Sequence, residues 1–281
     1  MRKVIKIGLI SLAVIGIGVL VWLTLIFQDT GIKKVNVDDS FFTAQIKSQS
    51  EREITGGREF TAIMRSFNSM LLDVQDAAYL ENIDAAEASN CKKLLAYSYA
   101  PRLTEHAKEY FDGHVWNATH LDTLRMEAQN LIGANILPSD SHDLPKLKEI
   151  IKNVNDYHAA VAATQVGGCT TVAAANAAIS RAKSFKRAPL TNCTSLIEAL
   201  NAVPGKVKTS LANNIAAACK RHSASSDALI ERINEYERAF GRNSQLSQEK
   251  SKLLAAKRAA RDRDVHNRIN NNTNIDDEEI E

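Results

Sequence analysis

Glycine and proline are scarce in this chain, 12 and 5 among 281 residues, and tryptophan occurs twice. So few turn formers argue against a many-stranded fold, and the alanine, lysine, glutamate and leucine that replace them favour helices. No window shows the sustained two-residue alternation of a strand. A dominant charge is missing as well, because 35 Lys and Arg against 33 Asp and Glu leave a net +2. Such a balance gives no global field of the kind that marks a nucleic-acid binder, so nucleic acid is not expected as a partner. The chain also lacks a nucleophile elbow, a phosphate loop, a dinucleotide fingerprint and a zinc-protease helix, so neither catalysis nor a cofactor is expected. No repeat recurs at a fixed period, which disfavours a solenoid.

One long apolar run stands out against this background. Residues 7–27 carry no charge over 21 positions, with Trp22 and Phe27 near the far end. A helix of that length measures roughly 32 Å, enough for a hydrocarbon core of about 30 Å. A cleaved signal peptide is the rival reading, since Arg2, Lys3 and Lys6 form a basic leader. Its apolar core should span only about 7 to 15 residues and end at a small-x-small site. Residues 24–30 read TLIFQDT, with no such site and no lipoprotein cysteine. A retained transmembrane helix is therefore expected, with the lipid bilayer as a partner. The basic residues before it outweigh Lys33 and Lys34, which are followed by Asp38 and Asp39. This bias predicts a single-pass protein with residues 1–6 cytoplasmic and the bulk periplasmic or extracellular.

Beyond the anchor, residues 28–57 read as a polar spacer with a short helix near Phe41 to Lys47. Residues 58–241 read as a helical bundle. Phe60, Ile63, Met64, Phe67, Leu71, Val74 and Ala78 make one continuous helical stripe. Asp84 and Glu87 make a capping-box pattern for the next helix, which Pro101 is expected to end. A short helix follows around Leu103 to Phe111, then another from about Thr119 to Gly133. After the capping run Ser139 to Asp143 comes the clearest amphipathic helix, carrying Leu147, Ile150, Ile151, Val154, Tyr157, His158 and Val161. An alanine-rich stretch from Thr170 to Phe185 should pack closely on a neighbour. The stripe Leu196, Leu200, Val203, Val207, Leu211, Ile215, Ala218 keeps phase through Pro204, as one kinked helix or two coaxial ones. Leu229 to Phe240 mark another, closed by Gly241. Residues 242–270 then read as a charged exposed helix, and residues 271–281 as an acidic disordered tail.

Few residue sets could carry chemistry. Cys91, Cys169, Cys193 and Cys219 all follow the anchor, and an even count in an exported domain permits two disulfides in any of three connectivities. Cys91 and Cys219 also fall on apolar helix faces, where a reduced thiol packs as a small hydrophobe, so both readings stand. His114 and His120, six apart, do not match helical ligand spacing, and no metal site is expected. Ser141, His142 and Asp143 have the residue types of a hydrolase triad but sit where helix capping needs them. His158 falls on an apolar stripe, where a core or boundary histidine outweighs a pH sensor. Lys257, Arg258 and Arg261 belong to a basic surplus in the last helix and are the candidate anion contacts, although the acidic tail can screen them. Three Asn-x-Thr acceptor patterns are short enough to arise by chance, and the apolar run has no GxxxG pair.

The sequence therefore predicts an all-α protein with a single N-terminal transmembrane helix followed by an antiparallel multi-helix bundle that includes a coiled-coil-like helix. A non-catalytic scaffold or protein-binding module of the cell envelope or cell surface is the expected role. The alternatives are a sensory ectodomain acting through a partner protein and an enzyme acting on envelope material.

Overall fold

The computed structural model describes residues 39–52, 57–221 and 225–276. These residues are all-α, with no strand among them: α1 (Asp39–Ser50), α2 (Gly57–Tyr79), α3 (Ala85–Asp112), α4 (Ala118–Gly133), α5 (Asp143–Thr164), α6 (Val172–Ser184), α7 (Thr194–Arg221), α8 (Ser226–Phe240) and α9 (Ser244–Asp276), with a 3-10 turn at Leu190–Asn192. The apolar run at residues 7–27 lies outside the described residues. Among the described residues, no helix is long and apolar enough to cross a membrane.

The described residues divide into two compact units: those up to 104 with 127–147, and those at 105–126 with those from 148 on. In the first unit, α2 turns Phe60, Ile63, Met64, Phe67 and Val74 inward, and each is almost fully buried. Phe67 meets the fully buried ring of Tyr99 from α3 at 5.0 Å. The N-cap half of the capping pattern that opens α3 is realised, since Asp84 Oδ1 accepts the Glu87 amide at 2.7 Å. The segment read as a spacer contributes to this core, because α1 packs on α2 and buries Phe42 and Ile46.

Pro101 does not end its helix, contrary to the sequence expectation, for α3 runs on from Ala85 to Asp112. Proline removes the amide that would bond the carbonyl one turn back and crowds that carbonyl. Both Pro101 and Tyr97, the residue one turn back, lie on the exposed face, where water can satisfy what the ring displaces.

The second unit is organised by α7. Every apolar position read on it from the sequence, from Leu196 through Ala218, is buried, and Pro204 sits inside one uninterrupted helix. Each buried Leu, Val or Ile side chain contributes about 1.5–3 kcal/mol relative to exposure. The alanine-rich α6 packs against α7 and buries Ala175 and Ala182. Its start is capped by Thr171, whose hydroxyl accepts the Ala174 amide at 3.2 Å. α8 adds Leu229, Ile233 and Tyr236 and stops at Gly241, whose φ of +85° suits glycine. α9 continues to Asp276, so its helix includes residues 271–276, which the sequence reading assigned to a disordered tail.

Candidate functional site

The clearest gathering of chemically versatile side chains lies in the second unit, at the joint between α3 and α4. The end of α3 brings His106, Tyr110 and Phe111 to one side at helical spacing. Asn117 then starts α4, its side-chain oxygen accepting the amides of Thr119 and His120 at 2.9 and 3.2 Å. The Asn117 amide itself donates to the Tyr110 hydroxyl. His120 is thereby held against Tyr110, ring centres 4.4 Å apart, and against His106. The Nε2 atoms of the two histidines are 3.1 Å apart, and their rings stand nearly perpendicular. Burial pushes His106 down to about 4, and the neighbouring His120 adds to the fall. Burial lowers His120 too, so both rings are neutral near pH 7. Burial raises the Tyr110 phenol, keeping it a neutral hydroxyl.

An aromatic ladder continues from this joint, with Trp116 between Phe111 at 5.3 Å and Tyr157 at 5.8 Å. The Trp116 indole donates to the Gly113 carbonyl at 2.8 Å, so its burial leaves no orphaned donor. The 3-10 turn clips the joint in place: Asn192 Nδ2 donates to the Phe111 carbonyl at 2.9 Å and the Thr194 amide to the His114 carbonyl at 3.3 Å. His158 is part-exposed and meets Asp122 Oδ1 at 3.0 Å, while Arg125 holds the same carboxylate at 2.9 Å. It is a boundary histidine that shares a carboxylate with Arg125.

The exposed half of α9 is a second feature of this unit. Leu246 and Leu253 are buried and seat its first turns, and Lys250 donates to Glu237 at 2.8 Å. Every residue from Leu254 to Arg268 is exposed. Of the three candidate anion contacts, Lys257 pairs with Asp227 on α8, whereas Arg258 and Arg261 lie on the exposed stretch. Leu254, Arg258, Arg261, Val265 and Arg268 follow one another by four, three, four and three, the spacing of a single helix face.

The remaining candidates fall into place individually. All four cysteines are free thiols; Cys91, Cys193 and Cys219 are buried and Cys169 is partly exposed. Ser141 and His142 do not assemble a triad with Asp143: the Ser141 hydroxyl accepts the Asp143 amide at 3.3 Å, and the His142 side chain is 87% exposed. In the first unit, Glu127 is 4% exposed and accepts from Asn68 and Asn130 at 3.2 and 3.4 Å. Beside them runs an open groove of about 370 Å³ lined by Leu71, Leu72, Gln75 and Gln129. Among the described residues, no group of three or more His, Cys, Asp and Glu is placed to hold a metal.

The sequence reading missed His106, and His120 was weighed only against His114. The signal available was weak: His106 and Tyr110 stand one turn apart on a face that also carries Leu103, Ala107 and Phe111. Which helix that face meets is tertiary information. The chain matches no protein-family model, no curated protein and no solved structure.

Proposed function

We propose that the chain is a membrane-anchored, non-catalytic helical adaptor of the cell envelope or surface that presents the exposed half of α9 to a protein partner. Residues 7–27 cross the bilayer in this reading, residues 1–6 are cytoplasmic, and the helices after the anchor form an antiparallel bundle outside the cytoplasm. The observation that carries it is the exposure of every residue from Leu254 to Arg268, beyond the buried Leu246 and Leu253. A helix so little buried is marginal in water, and packing one face on a partner would add stabilisation. The face available joins Leu254 and Val265, 38% and 51% exposed, to Arg258, Arg261 and Arg268. It suits a partner surface with apolar contacts rimmed by carboxylates.

Photo-crosslinking in native membranes tests this reading. A crosslinker at Arg261 or Val265 should give one defined adduct, whereas the same group at the exposed Lys220 should not. Charge reversal by Arg258→Glu with Arg268→Glu should abolish it. Adducts equally frequent at all three positions, or insensitive to charge reversal, would overturn the adaptor.

A further inference from the structure

We propose that His106 and His120 form a two-imidazole site for one divalent first-row transition-metal ion of the zinc or copper class. The adaptor reading neither requires nor supplies such a site. Two Nε2 atoms 3.1 Å apart, on rings whose centres are 5.3 Å apart at 86°, face each other from α3 and α4. A tetrahedral ion with metal–nitrogen bonds of about 2.0–2.1 Å holds two imidazole nitrogens roughly 3.3 Å apart and their ring centres roughly 5.2 Å apart. The pair therefore needs a shift of a few tenths of an ångström and a small tilt of the rings to chelate. Chelation also breaks the hydrogen bond that joins the two Nε2 atoms, and the ring whose Nε2 carries the proton must move that proton to Nδ1.

Both rings are positioned before any ion arrives. Asn117 accepts the backbone amide of His120 and donates its own amide to Tyr110, whose ring packs on His120 at 4.4 Å. His106 lies one turn before Tyr110 on the same helix, so one residue ties both ligands into a single frame. Such pre-positioning lowers the ordering cost that flexible surface histidines would meet. Imidazole nitrogens suit zinc, nickel and copper and discriminate against magnesium and calcium. Both rings are only partly buried, so water would supply the ligands beyond the two imidazoles.

Isothermal titration of the full chain in detergent with zinc chloride alone, at pH 7.5, tests the site. One ion per chain is expected. His106→Gln and His120→Gln should each weaken binding by at least about tenfold, and His158→Gln, in the Asp122 pair, should leave it unchanged. Pulsed electron paramagnetic resonance of the wild-type chain with one equivalent of cupric ion needs no variant and covers the case in which a substituted chain misfolds. It should show two imidazoles coordinated to one copper. A single-imidazole signal, or zinc affinity unchanged in both glutamine variants, overturns the proposal.

Discussion

Protonating His106 works against the fold, and the pH dependence of stability follows from that. In the unfolded chain the ring titrates near 6.5, and in the folded chain it titrates near 4. Between these values the unfolded state binds more protons, so stability is fully present above about pH 6.5 and is lost as pH falls towards 4. The difference corresponds to about 3 kcal/mol, reduced to about 2 kcal/mol for a ring that is partly solvated. Urea unfolding at pH 7.5 and pH 4.5 should show this loss, and His106→Gln should flatten it. A slope unchanged by that substitution would move the effect to another group, with His120 the first candidate. In the core, Ile150→Asp and Leu211→Asp each bury a carboxylate where the side chain is at most 4% exposed. Each should cost several kcal/mol and unfold the domain, as read by thermal melting followed by circular dichroism. These positions were legible from apolar spacing alone. The histidine pair was not, because His106 and His120 are 14 residues apart and meet only through the turn that packs α4 beside α3.

At the scale of elements, the sequence reading succeeded wherever a stripe kept phase and failed where a local signal was overruled by its surroundings. α7 shows the first case, since its stripe passed through Pro204 and the helix does too. α3 shows the second: a proline on a solvent-facing turn costs the helix a bond that water replaces, while the apolar residues on the other face hold both halves in register. Pro101→Ala should therefore raise stability by about 1 kcal/mol or more, visible as a higher midpoint in urea. A lowered midpoint would show that the proline itself is needed for packing. α1 was likewise read as spacer, because Phe42 and Ile46 are too few to announce a core helix, yet both are buried. α9 divides at Leu253. Removing residues 255–281 deletes only exposed residues and the exposed Lys257–Asp227 pair among those with described side chains, and should change stability by less than about 1 kcal/mol. Leu246→Asp, which strikes the seat of the helix, should cost several times more. Hydrogen exchange should be fast from Leu254 onwards and slow around Leu246.

At the scale of the molecule, the all-α class was readable from composition and period, whereas the division into two units was not. Composition carries no record of which distant segments share a core. The proposed export of the domain gives the four cysteines a consequence that can be measured. With free thiols, the partly exposed Cys169 should alkylate first in the native chain, and Cys91, Cys193 and Cys219 only on unfolding. Reductant should not change the number that react; an increase on reduction would show disulfides instead. A protease added to intact cells should remove a tag placed after Glu281, and protection until lysis would place the domain in the cytoplasm.

The two units also interleave along the chain, the first closing with residues 127–147 after residues 105–126 have already been claimed by the second. No single cut of the backbone separates them. During synthesis the first unit can assemble once residue 147 has emerged, but at that moment residues 105–126 still await the 134 residues of 148–281. Trp116, which packs on Tyr157 at 5.8 Å in the finished protein, would then lack that cover. That interval is the chain's window of vulnerability to aggregation, and it is where a chaperone would have to act. A polypeptide ending at residue 147 freezes the nascent chain in that condition, and it should sediment as aggregate under conditions in which the full-length protein stays dispersed.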